Sequence, residues 1–144
     1  MKKYGIITVT VVSVIAILTL FSGCNTPQSS NLIDGNIVVV PGNYYDIQFS
    51  VDTSEMQNTR VVGSFEAAGG SGNDIEAFIF DDMSFNNWKN GHQVTPLYNS
   101  GKITVANIDT SITTSGKYHL VFSNLFSIVS SKNVSARVDL NWSE

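Results

Sequence analysis

Few side chains in this sequence can react or ligate. There is one cysteine, Cys24, and two histidines, His92 and His119. A serine hydrolase needs a serine, a general base and an orienting acid in mutual reach. Serines are plentiful, but no G-x-S-x-G elbow marks one as a nucleophile. His119 stands between Tyr118 and Leu120 and is expected on the outer face of a strand. Asp81 and Asp82, with Asp74 and Glu76 nearby, have the oxygen chemistry that suits Ca²⁺. No D-x-D-x-D-G loop accompanies them, and Asp74 and Glu76 fall at the far end of a strand from Asp82. The plainer reading is solvated carboxylates at strand ends. No metal and no cofactor is expected, with Asp81 and Asp82 the nearest candidates. Phe85, Trp88 and Tyr98, flanked by Asn86, Asn87 and His92, could form a platform for a sugar ring. Large aromatics are usually mostly buried, so the plainer reading has Phe85 and Trp88 capping one end of the core. No enzymatic activity is expected from these sets.

A single cysteine cannot form an internal disulfide or a zinc–thiolate cluster. Its surroundings say more. Met1-Lys2-Lys3 is a short positive start, Ile6–Ser22 carries no charge, and Asn25-Thr26-Pro27-Gln28-Ser29-Ser30 is polar. This is the layout of a secretory signal. The competing reading is a permanent span. The run of 17 residues, 6 to 22, lies at the bottom of the spanning range of about 17–25. Thr8, Thr10, Ser13 and Thr19 weaken a span further. Phe21-Ser22-Gly23-Cys24 resembles the lipobox of prokaryotic lipoproteins. Phe21 stands where Leu is more usual, and Leu20 is one place early. The resemblance implies that the Cys24 thiol receives a diacylglyceryl group. The peptide bond before Cys24 is then cut, leaving Cys24 as the new N-terminus. Residues 1–23 are therefore expected to be a helical signal peptide. The expected membrane partnership runs through lipid on Cys24, with the protein exported and held at the outer face of the cell membrane or envelope. Two or more chains anchor a protein stably where one holds it marginally.

The chain has 144 residues, 8 Lys+Arg against 12 Asp+Glu. That length holds one domain plus a tether and excludes a multi-domain enzyme. From Cys24 onward, loss of Lys2 and Lys3 leaves 6 basic residues against 12 acidic, a net charge of −6. Nucleic acid, which selects basic surfaces, is not an expected partner. Nor would such a domain be drawn by charge to an anionic membrane.

The elements that must position these residues read as strands. Residues 24–36 read as a flexible linker, polar and rich in turn formers. A loop packed on the domain stays open near Leu32-Ile33. From Ile37 the period is two. Tyr45, Ile47, Phe49 and Val51 alternate with polar neighbours, as do Val61, Gly63, Phe65 and Ala67. Val134, Ala136, Val138, Leu140 and Trp142 follow the same pattern, with shorter runs at Ile103/Val105 and Tyr118/Leu120/Phe122. Each predicts a strand with one buried and one wet face. Asp74–Asp81 is apolar on both faces, which predicts a covered strand. Val38–Val40 and Val94–Tyr98 are short, and Pro96 puts the latter at an edge. Only Ser84–Asn90 could make a helical turn or two, with Phe85 and Trp88 on one face. Turn formers separate the runs at Pro41-Gly42-Asn43, Gly69–Asn73, Asn99-Ser100-Gly101 and Ser115-Gly116. The pattern predicts an all-β fold, a single antiparallel β-sandwich of about eight strands over residues 37–144.

Asn73–Asp81, then Phe85-x-x-Trp88-x-x-Gly91, then Tyr98-x-Ser100-Gly101 resemble the GOLD (Golgi-dynamics) domain family. The stretch Gly116-x-Tyr118-x-Leu120-x-Phe122-x-Asn124-x-Phe126-Ser127, followed by Lys132, is similar to that family's C-terminal corner. The resemblance covers about residues 42–142. It implies a compact antiparallel sandwich used for protein–protein or lipid-associated recognition, without catalysis. The chain lacks the paired cysteines of the cargo receptors in that family and their C-terminal coiled coil or span, so trafficking roles do not carry over. In the corner, Tyr118 and Phe122 are expected in the core, Asn124 ending the strand and Phe126 plugging the loop. Ser127 completes the motif, and Lys132 is expected on a carboxylate or on loop carbonyls. The expected function is a lipid-anchored, exported, non-catalytic interaction module for an unidentified protein, lipid or glycan. The alternative is a carbohydrate- or matrix-binding module using aromatics near Trp88.

Overall fold

The computed structural model describes residues 25–144; Cys24 and the expected signal peptide lie outside the described residues. The chain runs β1 (Pro27–Val39), β2 (Tyr44–Val51), β3 (Gln57–Ala68), β4 (Ile75–Asp81), α1 (Asp82–Lys89), β5 (Tyr98–Ile103), β6 (Val105–Ser111), β7 (Gly116–Ser123) and β8 (Lys132–Ser143). Two four-stranded sheets form, ordered β1-β8-β3-β6 and β2-β7-β4-β5, with every pairing antiparallel. This is the all-β sandwich that the alternation predicts. Among the described residues no helix is long and apolar enough to cross a membrane.

The inward faces follow the period of two. Val61, Phe65 and Ala67 from β3 and Val134, Ala136, Val138 and Leu140 from β8 meet Ile75, Ala77 and Ile79 from β4 and Tyr118, Leu120 and Phe122 from β7. Phe65 and Phe122 meet edge to face across the two sheets, centroids 5.4 Å apart. Gly63 has no room for a side chain, because a Cβ there would overlap the Arg137 carbonyl of β8. Close approach of two backbones is what glycine permits in a strand interior.

β4 is covered on both faces, as its composition requires. Its outward Phe78 and Phe80 join Val121 of β7 and Phe85 of α1 in a second, smaller core. The helix starts because Asp81 accepts from Ser84 N at 2.8 Å and from Ser84 Oγ at 2.9 Å, satisfying a free amide of the first turn. Asp82 in the first turn and Lys89 in the last complement the helix dipole. Gly91, at φ +79, takes the chain out of the helix after its amide bonds the Trp88 carbonyl.

Four expectations change. Residues 27–36, read as linker, lie in β1, which pairs with β8 from Pro27↔Ser143 to Val39↔Lys132. The strand was hidden because it is an edge. Its outward residues bond polar partners on β8: Ser29 Oγ to Asn141 at 2.8 Å and Asn31 Nδ2 to Asp139 at 2.8 Å. A bulge between Asn31 and Ile33 then breaks the alternation. Ile103 and Val105 do not share a strand. Thr104 separates β5 from β6, which belong to different sheets, and its carbonyl accepts from Ala67 N at 2.7 Å. Of Val94–Tyr98 only Tyr98 is in a strand; Leu97 N still bonds the Ile79 carbonyl at 2.8 Å. On β2 the two tyrosines also exchange roles. Tyr45 is exposed, while Tyr44 packs against α1, its ring 5.1 Å from Trp88.

Candidate functional site

Two places gather the residues that could do chemistry. The first lies beneath α1. His119 is on the outer face of β7, as expected, yet it is only 2% exposed because α1 covers it. Its Nδ1 faces Asp46 of β2, at 2.9 and 3.1 Å from the two oxygens. Its Nε2 faces Asp82 of α1 at 3.2 Å. Each ring nitrogen therefore faces a carboxylate oxygen. The imidazole also stacks on Phe85, centroids 4.0 Å apart and 14° from parallel. Lys117 approaches the same Asp82 oxygen at 3.5 Å. The His119 hydrogen bond, with Lys117 behind it, holds the Asp82 carboxyl below the usual carboxylate range.

This arrangement ties β2, β7 and α1 together. It differs from a hydrolytic triad, because both ring nitrogens meet carboxylates and no serine hydroxyl bonds His119 among the described residues. Asp81 is engaged at the helix start and Asp82 at His119. Among the described residues no group of three His, Cys, Asp or Glu side chains is placed to hold a metal ion.

The aromatic platform is not assembled as a flat surface. Phe85 is buried and Trp88 half-buried in the second core, with Tyr44, Phe78 and Phe80 around them. Tyr98 packs on the main core instead. Its hydroxyl donates to the Asn107 carbonyl at 2.8 Å, and burial pushes its phenol above the ordinary value. His92 is exposed in the turn after α1, its amide on the Asn87 carbonyl.

The second place is the corner where β7 turns into β8. Tyr118 and Phe122 are in the core, and the Tyr118 hydroxyl donates to the Thr114 carbonyl at 2.7 Å. Asn124 is fully buried. Its Nδ2 donates to the carbonyls of Val39 at 3.1 Å and Ser130 at 2.9 Å. Its backbone N donates to Asn43 O, and its own carbonyl accepts from Gly42 N. One asparagine therefore joins the β1–β2 turn to the β7–β8 loop, while its Oδ1 has no partner among the described residues.

Lys132 is buried and meets both kinds of acceptor expected for it. Its Nζ donates to Asp74 at 2.9 Å and to the Gly69 carbonyl at 2.9 Å. That bond holds the Asp74 carboxyl below its usual range against the opposing effect of burial. Glu76, two residues on, is shifted the other way by burial, partly offset by Lys102. Phe126 is half-buried, with the Lys102 ammonium 4.5 Å and the Lys132 ammonium 5.9 Å from its ring centroid. Ser127 Oγ donates to Ser130 O at 3.0 Å and accepts from Ser130 N at 3.2 Å. A shallow groove of about 310 Å³ runs beside Asp74, Phe126, Ser130 and Lys132, with Ile128 and Val129 also on its wall.

Sequence reasoning did not find Asp46 as the partner of His119, nor Asp74 as that of Lys132. Both are distant in the chain: Asp46 reaches His119 because β2 pairs with β7, and Asp74 reaches Lys132 from one sheet to the other. It also passed over Ile128-Val129, which are exposed. Two adjacent branched aliphatics inside a serine-rich loop were the available signal. No family model matches the chain, and no curated protein matches it.

Proposed function

We propose that this protein is an exported, lipid-anchored interaction module of GOLD-like fold, without catalytic activity. The observation that carries the interaction reading is the contrast between its polar and apolar groups. His119, Asp81, Asp82, Asn124 and Lys132 are each engaged in bonds that hold elements together. Large aliphatic side chains, in contrast, stand in water around one corner. Function has to be argued from a site, and that corner leaves apolar side chains free for a partner. The anchor reading rests on Cys24 and the uncharged run before it. Since β1 begins at Pro27, only Asn25 and Thr26 separate the lipidated residue from the sandwich.

The test is metabolic labelling of the full chain with radiolabelled palmitate in a bacterial host. The wild type should incorporate label and fractionate with membranes. Cys24→Ser should lose the label and leave the membrane pellet. Unchanged pelleting of an unlabelled wild type would replace the lipid anchor with an uncleaved span.

A further inference from the structure

Five exposed aliphatic residues lie toward one corner of this fold, while Leu97, Ile103 and Val105 are exposed around β5 and the start of β6. Val38 and Val40 flank the end of β1, and Leu125, Ile128 and Val129 lie in the β7–β8 loop. Gly42 N bonds the carbonyls of Asn124 at 3.1 Å and Ser127 at 2.9 Å, so the two segments that carry these five residues meet at one corner. Ile128 is 91% and Val129 81% exposed. Leaving such side chains in water forgoes the free energy of burial, and contiguous patches of this kind mark interaction sites.

We propose that this corner inserts into a lipid surface, laying the sandwich along the membrane to which Cys24 is tethered. The insertion rests on the corner itself, while the identity of the membrane rests on the lipid-anchor reading above.

Two features favour lipid over a protein partner. The exposed side chains are aliphatic, whereas Trp, Tyr and Arg dominate protein hot spots. The corner's position completes the case. β1 is the edge of its sheet and β2 the edge of the other. The described chain enters at one end of β1, and the corner stands at the other. The 13 residues of β1 place them roughly 40 Å apart at about 3.3 Å per residue. A tether at one end of an edge and an apolar corner at the other are two attachments to one surface, the condition for stable membrane residence. Because the domain carries −6, its attachment must come from apolar insertion and not from attraction to anionic headgroups.

Residues 25–144 contain both sheets and both cores entire, so this fragment is the folding unit and carries no lipid. It is sedimented with phosphatidylcholine vesicles. The wild-type fragment should pellet with lipid, undiminished by high salt and less when phosphatidylglycerol is added. The double variant Ile128→Asp/Val129→Asp should lower vesicle partitioning by about tenfold or more with unchanged thermal unfolding, since neither side chain is buried. Met83→Asp, at an exposed site on the first turn of α1, should bind as the wild type does. No pelleting at any lipid concentration, or equal loss in Met83→Asp, overturns the proposal. So does self-association of the fragment that the double variant abolishes, which would assign the corner to a second protein chain. Failure here leaves the labelling result at Cys24 standing.

Discussion

Removing the Phe122 ring strikes the centre of the sandwich. The residue is fully buried on β7, opposite Tyr45 of β2 and Ala77 of β4 in register. It meets Phe65 of the other sheet edge to face at 5.4 Å. Phe122→Ala forfeits the transfer of the ring from water, roughly 2–3 kcal/mol for a large apolar side chain. It also leaves a hole on the order of 100 Å³, worth roughly 2 kcal/mol at about 24 cal/mol per Å³. Partial collapse of Phe65 into the hole offsets some of this. The expected cost is about 3–5 kcal/mol, a large share of the roughly 5–15 kcal/mol by which small domains are stable. For a domain of this size that lowers Tm by roughly 10–20 °C. The assay is urea denaturation of residues 25–144 followed by tryptophan fluorescence, with the m-value checked for constancy. A double-mutant cycle with Phe65→Ala should return a coupling of about 0.5–1.5 kcal/mol for the aromatic pair. A loss below about 1 kcal/mol would refute the facing of β7 and the cross-sheet contact together.

Two other outcomes follow from the corner and the edge. Lys132→Met removes the cation from a buried pair and should cost about 1–3 kcal/mol in the same denaturation assay, because Asp74 keeps partial access to water. The pH dependence has a definite sign. Lys132 holds the Asp74 carboxyl low, so its contribution is complete above the unfolded aspartate value of about 3.9 and fades as pH falls below it. The gap between wild type and Lys132→Met should therefore narrow in acid, and a gap that widens would contradict the pairing. Deleting residues 25–36 should abolish cooperative thermal unfolding by circular dichroism, since it strips the partner strand from β8 and Leu32 and Ile33 from the core. An unchanged melt would restore the linker reading.

How much of this was legible in the sequence depended on what surrounds each residue. Strands β3, β7 and β8 show in the alternation because each has an apolar face and long regular pairing. β1 does not, because an edge strand with a bulge buries little and presents serines and asparagines to β8. Phe85 and Trp88 were readable as a shared helical face, but their burial depended on Tyr44, Phe78 and Phe80 arriving from two other strands. His119 could be assigned to the outer face from its neighbours. Its enclosure could not, because α1 was visible only as a turn or two.

By itself the sequence determined the class of fold and the divided character of the chain. Period-two alternation is local chemistry, repeated every two residues, and needs no knowledge of partners. The uncharged run before Cys24 and the excess of carboxylates are equally local. Tertiary structure alone decided which polar groups are used up. Asp46 meets His119 across 73 positions and Lys132 meets Asp74 across 58, distances that only the pairing of strands and the stacking of the two sheets can close. It also decided which apolar groups are left over. Ile128 and Val129 read like any pair of strand residues until the β1–β2 turn and the Asn124 corner hold their loop out from the core, where nothing among the described residues covers them.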